Sequence, residues 1–221
     1  MARVHLTFDN GPAPNVTPHV LEVLGERGLH ATFFVLGKHI ATPEGMALAR
    51  RIRDEGHRLG NHSYTHEIPL GQDIRRDAVA RELEQTQALL DEVWSGERLF
   101  RPFGGGGILG PHLFSPAAVE WLAQHKHTCV LWNSVPGDWL DPDGWVEKAL
   151  EDAEELEEMV VVLHDILPDA MAHLGDFLDA LDARGHTITN AIPADCLPMV
   201  DGVATSQLAR FTQEPGQGAT P

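Results

Sequence analysis

Apolar residues along this chain recur in two rhythms. Short continuous or alternating runs read as strands, and stretches with three- and four-residue spacing read as helices. Val4–Phe8 is the first run, closed by Asp9-Asn10-Gly11-Pro12. Val16–Glu26 has helical spacing through Val20, Leu21 and Leu24 and stops at Gly28. Ala31–Leu36 is rich in strand formers. Pro43–Glu55 is helical, with Pro43 suited to a first turn and Gly56 to a stop. His57–Asn61 is a weak strand, and Ile74–Val93 a long helix that buries Ile74, Ala78, Leu83, Leu89, Leu90 and Val93.

The alternation continues to the end. Leu99–Phe103 is a strand running into Gly104–Gly107. Ser115–Gln124 is a helix with Ser115 as N-cap and Pro116 at its first position. Thr128–Trp132 and Met159–Leu163 are strands, Asp143–Glu157 and Ala170–Ala183 helices, and His186–Thr189 the last strand. Strands alternating with helices in this way predict a parallel α/β architecture, and the pattern alone admits an open doubly wound sheet or a closed barrel. Residues 1–195 read as a single domain. Residues 196–221 read as an irregular tail, rich in Pro and Gly from Ala191 onward, with disorder expected in its last ten residues.

Composition narrows the possibilities. The formal charge of −17 repels phosphate backbones and argues against nucleic acid as a partner. Much of the excess lies in Glu147–Glu158, which reads as a solvated helix face. No long apolar run suggests a membrane span, and no secretion signal is evident at the start, so the expected location is cytoplasmic. Cys129 and Cys196 are too few and too far apart for a zinc knuckle and are expected to be free structural thiols. The 13 histidines invite a search for metal or acid–base sites.

That search finds a pattern. Asp9-Asn10, His62 and His66, Arg101, Asp138-Trp139 and His164-Asp165 all follow predicted parallel strands. Carboxyl ends of such strands converge on one face of a barrel, where active sites are built. His62 and His66 are four apart, so a helical turn there would aim both imidazoles at one divalent cation. His164 leaves a buried strand and suits a general acid, or else a satisfied core histidine. Gly104–Gly107 has no Lys-Ser/Thr partner and is no phosphate loop; it implies close backbone approach or a moving loop.

Five segments together resemble carbohydrate esterase family 4, the polysaccharide deacetylases with NodB homology. These are Leu6-Thr7-Phe8-Asp9-Asn10-Gly11-Pro12, His62-Ser63-Tyr64-Thr65-His66, Arg101-Pro102-Phe103-Gly104, Asp138-Trp139 and Val162-Leu163-His164-Asp165, in the family's order. The resemblance spans roughly residues 3–190. It implies a distorted (β/α)7 TIM-like barrel and a hydrolase that removes an N-linked acetyl group from an amino sugar or a related small amide. It also implies roles. Asp9 would be the general base, His164 the general acid, Asp138 the partner that keeps His164 charged, and Arg101 the partner of Asp9. His62, His66 and Asn10 would hold a divalent metal: zinc, or else cobalt, nickel or manganese. Phe103, Gly104, Trp139 and Leu163 would contact substrate.

Asn10 stands where the family usually has an aspartate, so the implied ligand set is neutral. Metal bound through Asn10 or water, catalysis without metal, and a non-catalytic carbohydrate binder all remain open. A ureide or cyclic-amide hydrolase on the same scaffold is a further alternative.

Overall fold

The computed structural model describes residues 1–214. In chain order the elements are β1 (Arg3–Asp9), α1 (Thr17–Glu26), β2 (Thr32–Val35), α2 (Gly37–Ile40), α3 (Pro43–Asp54), β3 (Arg58–Asn61), α4 (Gln85–Asp91), β4 (Leu99–Phe100), α5 (Pro116–Gln124), β5 (Thr128–Cys129), α6 (Trp145–Glu155), β6 (Glu158–His164), α7 (Pro168–Met171), α8 (Leu174–Ala183), β7 (Thr187–Ile188), β8 (Met199–Val200) and β9 (Val203–Ala204). The first seven strands are parallel and curl in the order β6-β1-β2-β3-β4-β5, with β7 beside the start of β1. The chain beyond β5 then touches β6 through a parallel bridge from Ser134 to Val161, which closes the ring. This is a distorted (β/α)7 barrel.

Strand periodicity decides what faces where. In β1 the residues Val4, Leu6 and Phe8 point outward into the helix-facing core, which they share with Val161, Leu163 and Phe177. The alternate residues His5, Thr7 and Asp9 point into the barrel and are buried as well. Both faces are therefore covered, as expected of a parallel strand with helices outside. The barrel interior is unusually polar and is satisfied internally. The His5 ring meets the Thr32 hydroxyl at 2.9 Å, and burial, with Arg101 nearby, lowers its pKa to about 3.

The N-cap expected at Ser115 is present, and Thr42, which the sequence reading did not name, caps α3 in the same way. The Ser115 hydroxyl accepts from the Ala118 N–H at 3.2 Å ahead of Pro116, and that of Thr42 from the Gly45 N–H at 3.1 Å ahead of Pro43. Both cysteines are free and buried, and burial raises the Cys196 thiol to about 11.

Three expectations need correction. The helix forecast to start at Ile74 begins near Ala78, and Ile74 is 79% exposed. Its first turns, Ala80–Glu84, are π-helical before α4. The helix forecast over Ala170–Ala183 is broken into α7 and α8, and the Ala170 carbonyl at the break accepts from the Trp145 indole N–H at 3.0 Å. The tail expected to be irregular forms the antiparallel pair β8–β9 on the edge of β5, and Leu208 and Phe211 are buried behind it. Most of the terminal stretch expected to be disordered lies outside the described residues. No helix among the described residues is long and apolar enough to cross a membrane.

Candidate active site

Register brings the chemistry together. Asp9 and His164, 155 positions apart, are direct partners at the carboxyl ends of β1 and β6, and both face inward. Arg101 enters from the opposite wall, immediately after β4. It is fully buried and crosses the barrel. Its Nη1 donates to Asp9 Oδ1 at 2.9 Å and to the Thr7 hydroxyl at 2.6 Å. Its Nε and Nη2 donate to the carbonyls of Val130 and Leu131 at 3.2 and 3.3 Å, and the guanidinium lies 4.2 Å over the Phe34 ring. Asp9 is thus a carboxylate tied to a cation in a dry setting.

The imidazole pair forms the second wall. Residues 62–66 are not helical; the chain turns through left-handed backbone at Ser63 (φ 67°) and His66 (φ 58°). The turn still brings the His62 and His66 rings to a centroid distance of 4.9 Å. His62 Nδ1 lies 2.8 Å from the Arg101 carbonyl, so it carries the proton and Nε2 has its lone pair free, 3.6 Å from Asp9 Oδ2. Burial holds both rings neutral: it lowers His62, and, helped by the nearby His62 and His164, it lowers His66 to about 2. Asn10, in left-handed backbone at φ 74°, has its Oδ1 buried with no hydrogen-bond partner.

The third wall is the His164 dyad. Asp138 is fully buried and accepts twice, from His164 Nδ1 at 2.7 Å and from the His164 backbone N–H at 2.8 Å. Burial alone would lower the histidine pKa, but the Asp138 hydrogen bond and charge outweigh it, and the net shift is upward. The Trp139 ring meets His164 edge-on at 5.2 Å.

These residues border one cavity of about 220 Å³. Phe103, Gly104 and Trp139 line it, as the sequence implied, and the Phe103 ring lies 3.9 Å from that of His66. Leu163 does not line it. Residues 162 and 164 face the barrel, so the one between them points to the helices, and Val162 takes the cavity wall instead. Sequence reasoning did not single out Val135, Ile166 or Leu167, which line the cavity together with Trp132. The glycine loop shows why it needs no side chains: a Cβ on Gly104 would overlap the Trp132 ring, and the Trp132 indole donates to the Gly107 carbonyl at 2.9 Å.

Asp165 plays no part in the dyad. It is buried and accepts from the Thr17 hydroxyl at 2.5 Å, and its Oδ1 has no partner. It packs so tightly under Gly11 that a Cβ there would overlap its carboxylate. Burial raises its pKa from 3.8 to about 7. A carboxyl whose folded pKa is raised contributes most stability below its unfolded value and loses it as pH climbs through the folded one. Stability is therefore expected to fall between about pH 4 and 7, and Asp165→Asn to flatten that slope in urea melts taken across the range.

Residues 2–108 match the family model described as polysaccharide deacetylase. A chitooligosaccharide deacetylase of Sinorhizobium fredii is 35% identical over 176 residues, covering 77% of this chain and 75% of the relative. The chain belongs to the polysaccharide deacetylase family. Members of that family hydrolyse the carbon–nitrogen bond of N-acetyl groups. Among solved structures, the family 4 carbohydrate esterase of Streptomyces lividans in complex with acetate superposes with a TM-score of 0.71 at 27% identity, covering 90% of this chain and 97% of that one. A family 4 pseudoenzyme of Bacillus anthracis shares the fold, with a TM-score of 0.70 at 22% identity over 84% of this chain and 62% of that one. None of these relatives is a ureide hydrolase.

Proposed function

We propose that this polysaccharide deacetylase domain removes the acetyl group from an N-acetylated amino sugar in a short oligosaccharide, with a divalent cation held by His62, His66 and Asn10. The observation that carries the reading is the register pairing of Asp9 with His164, with the imidazole pair beside them on one cavity. An acid and a base on opposite sides of one scissile amide are what its hydrolysis requires.

The donor set suits a cation. Two neutral imidazoles 4.9 Å apart and a buried, unpartnered amide oxygen are groups that ligate without first losing a proton. In this reading the third donor is the Asn10 amide oxygen, which is buried and unpartnered on the same cavity. A bound cation would polarise the substrate carbonyl and make the attacking water more acidic.

The protein's own residues do the rest. Asp9, held in place by Arg101, accepts the proton of the attacking water. Asp138 fixes the His164 Nδ1–H and leaves Nε2–H aimed into the cavity, where it protonates the departing nitrogen. Trp139, Val162 and Leu167 exclude water from the acyl side, which strengthens each of these charge interactions. Acetate release from acetylated chitooligosaccharides, measured with and without added Zn²⁺, Co²⁺, Ni²⁺ or Mn²⁺, tests the reading. No turnover with any of these metals would sink it.

One observation favours a second reading, a carbohydrate binder without turnover: the amide at Asn10 contributes no charge to the cation. Asn10→Asp separates the two. It is expected to tighten Zn²⁺ binding by an order of magnitude or more, since even outer-shell changes move metal affinity by about 10–100-fold. Isothermal titration measures this directly, and a binder without turnover would hold sugar equally well in chelator.

A further inference from the structure

The loop that presents the two imidazoles holds two non-glycine residues in left-handed backbone, Ser63 and His66. Each such residue is strained and persists only where the surroundings over-determine it. A full account of this loop's backbone groups identifies the restraint. The Ser63 and Tyr64 carbonyls accept from the Gly37 and Lys38 N–H groups at 3.0 and 3.2 Å, and the Thr65 carbonyl from Lys38 Nζ at 2.9 Å. The Ser63 N–H donates to Asn61 Oδ1 at 3.0 Å. The His62 N–H donates to the Val35 carbonyl at 3.0 Å, and the Tyr64 and Thr65 donors converge on one carboxylate. Glu82 Oε2 accepts from the Tyr64 and Thr65 N–H groups at 3.1 and 2.8 Å, and Oε1 accepts from the Thr65 hydroxyl at 2.8 Å and from Arg75 at 3.2 Å.

Glu82 is only 2% exposed and sits in the π-helical segment Ala80–Glu84. That turn, in which the Gln85 N–H reaches back to the Ala80 carbonyl, widens the helix. The neighbouring Leu83 carbonyl accepts from Asn61 Nδ2 at 3.1 Å, so two successive residues of the segment grip the two ends of the same loop. A buried carboxylate with four donors and no contact with the cavity needs a reason to be there.

We propose that Glu82 is a positioning residue that sets the separation and aim of His62 and His66, and through them the affinity of the site for a divalent cation. The proposal rests on the metal reading of those two histidines. It makes a geometric claim rather than a charge claim. Glu82→Gln keeps the length and an acceptor oxygen for the two N–H groups; Glu82→Asp keeps the charge but withdraws it by one methylene.

The test is Co²⁺ titration of the full chain followed by visible absorption, alongside the side-chain ¹⁵N signals of His62 and His66. Glu82→Gln is expected to bind Co²⁺ within about threefold of wild type, and Glu82→Asp and Glu82→Ala about 10–100-fold more weakly, as for other outer-shell changes. Should the alanine variant fail to fold, the Gln and Asp variants carry the comparison. Equal binding by the Asp variant and wild type, or a loss in Gln that exceeds the loss in Asp, would overturn it. Wild-type protein that takes up no Co²⁺ would remove the metal reading. The positioning claim would then be judged on the ¹⁵N signals, which should be unchanged in Gln and displaced in Asp; unchanged signals in both would end it.

Discussion

Replacing His164 with alanine is expected to lower kcat for acetate release by about 10²–10⁴-fold, the usual share of a general acid, with KM little changed. An amine is a poor leaving group, so the step that suffers is protonation of the departing nitrogen. In the proposed mechanism His164 serves that step: Asp138 accepts from both its Nδ1 and its backbone N–H, which fixes the ring and leaves only Nε2 free. The pH profile follows by sign. The active form is protonated, and the net pKa shift is upward from 6.5. Activity should therefore persist above that value and fall only as pH rises through the raised pKa. Asp138→Asn removes the charge that opposes burial, so the alkaline limb should move to lower pH while Co²⁺ affinity stays unchanged. An unaltered profile in that variant would mean that Asp138 does not tune the acid.

Arg101→Met should be the most destabilising single change at the site. Removing one member of a buried ion pair costs about 3–5 kcal/mol, because the surviving charge stays buried without its partner. Here the loss extends further. Asp9 loses a donor at 2.9 Å, Thr7 one at 2.6 Å, and the Val130 and Leu131 carbonyls lose theirs inside the barrel. Urea melts should show a lower midpoint with an unchanged slope. The double variant Asp9→Asn/Arg101→Met should recover part of the loss, since it leaves no uncompensated charge. Additive effects of the two changes would argue that the pair is not coupled.

Much of this was legible in the sequence. Strand and helix alternation is a periodic signal, and the polar residues at strand ends were visible as interruptions of it. Asp9, Arg101, Asp138 and His164 each follow an apolar run and arrive on one face. Leu163 was misjudged for a reason of phase: the motif names it beside His164, but a strand sends neighbours to opposite sides. The His62–His66 pair meets by a route the sequence did not suggest, through two left-handed residues rather than a helical turn. Glu82 was hidden by its type, since charged residues are rarely fully buried. The trace it left is positional, since Ala78, Glu82 and Thr86 follow one another at four-residue steps and all three are buried. The break between α7 and α8 left no such trace, because it depends on Trp145 reaching the Ala170 carbonyl from a distant helix.

The short hairpin of β8 and β9 changes what one edge of the sheet presents. It pairs with β5 at Cys129 and so covers that edge. The strands that cover it are only two residues each, too brief to template a further partner on their outer side. This terminal stretch thus acts as a selvage, finishing one margin of the fabric.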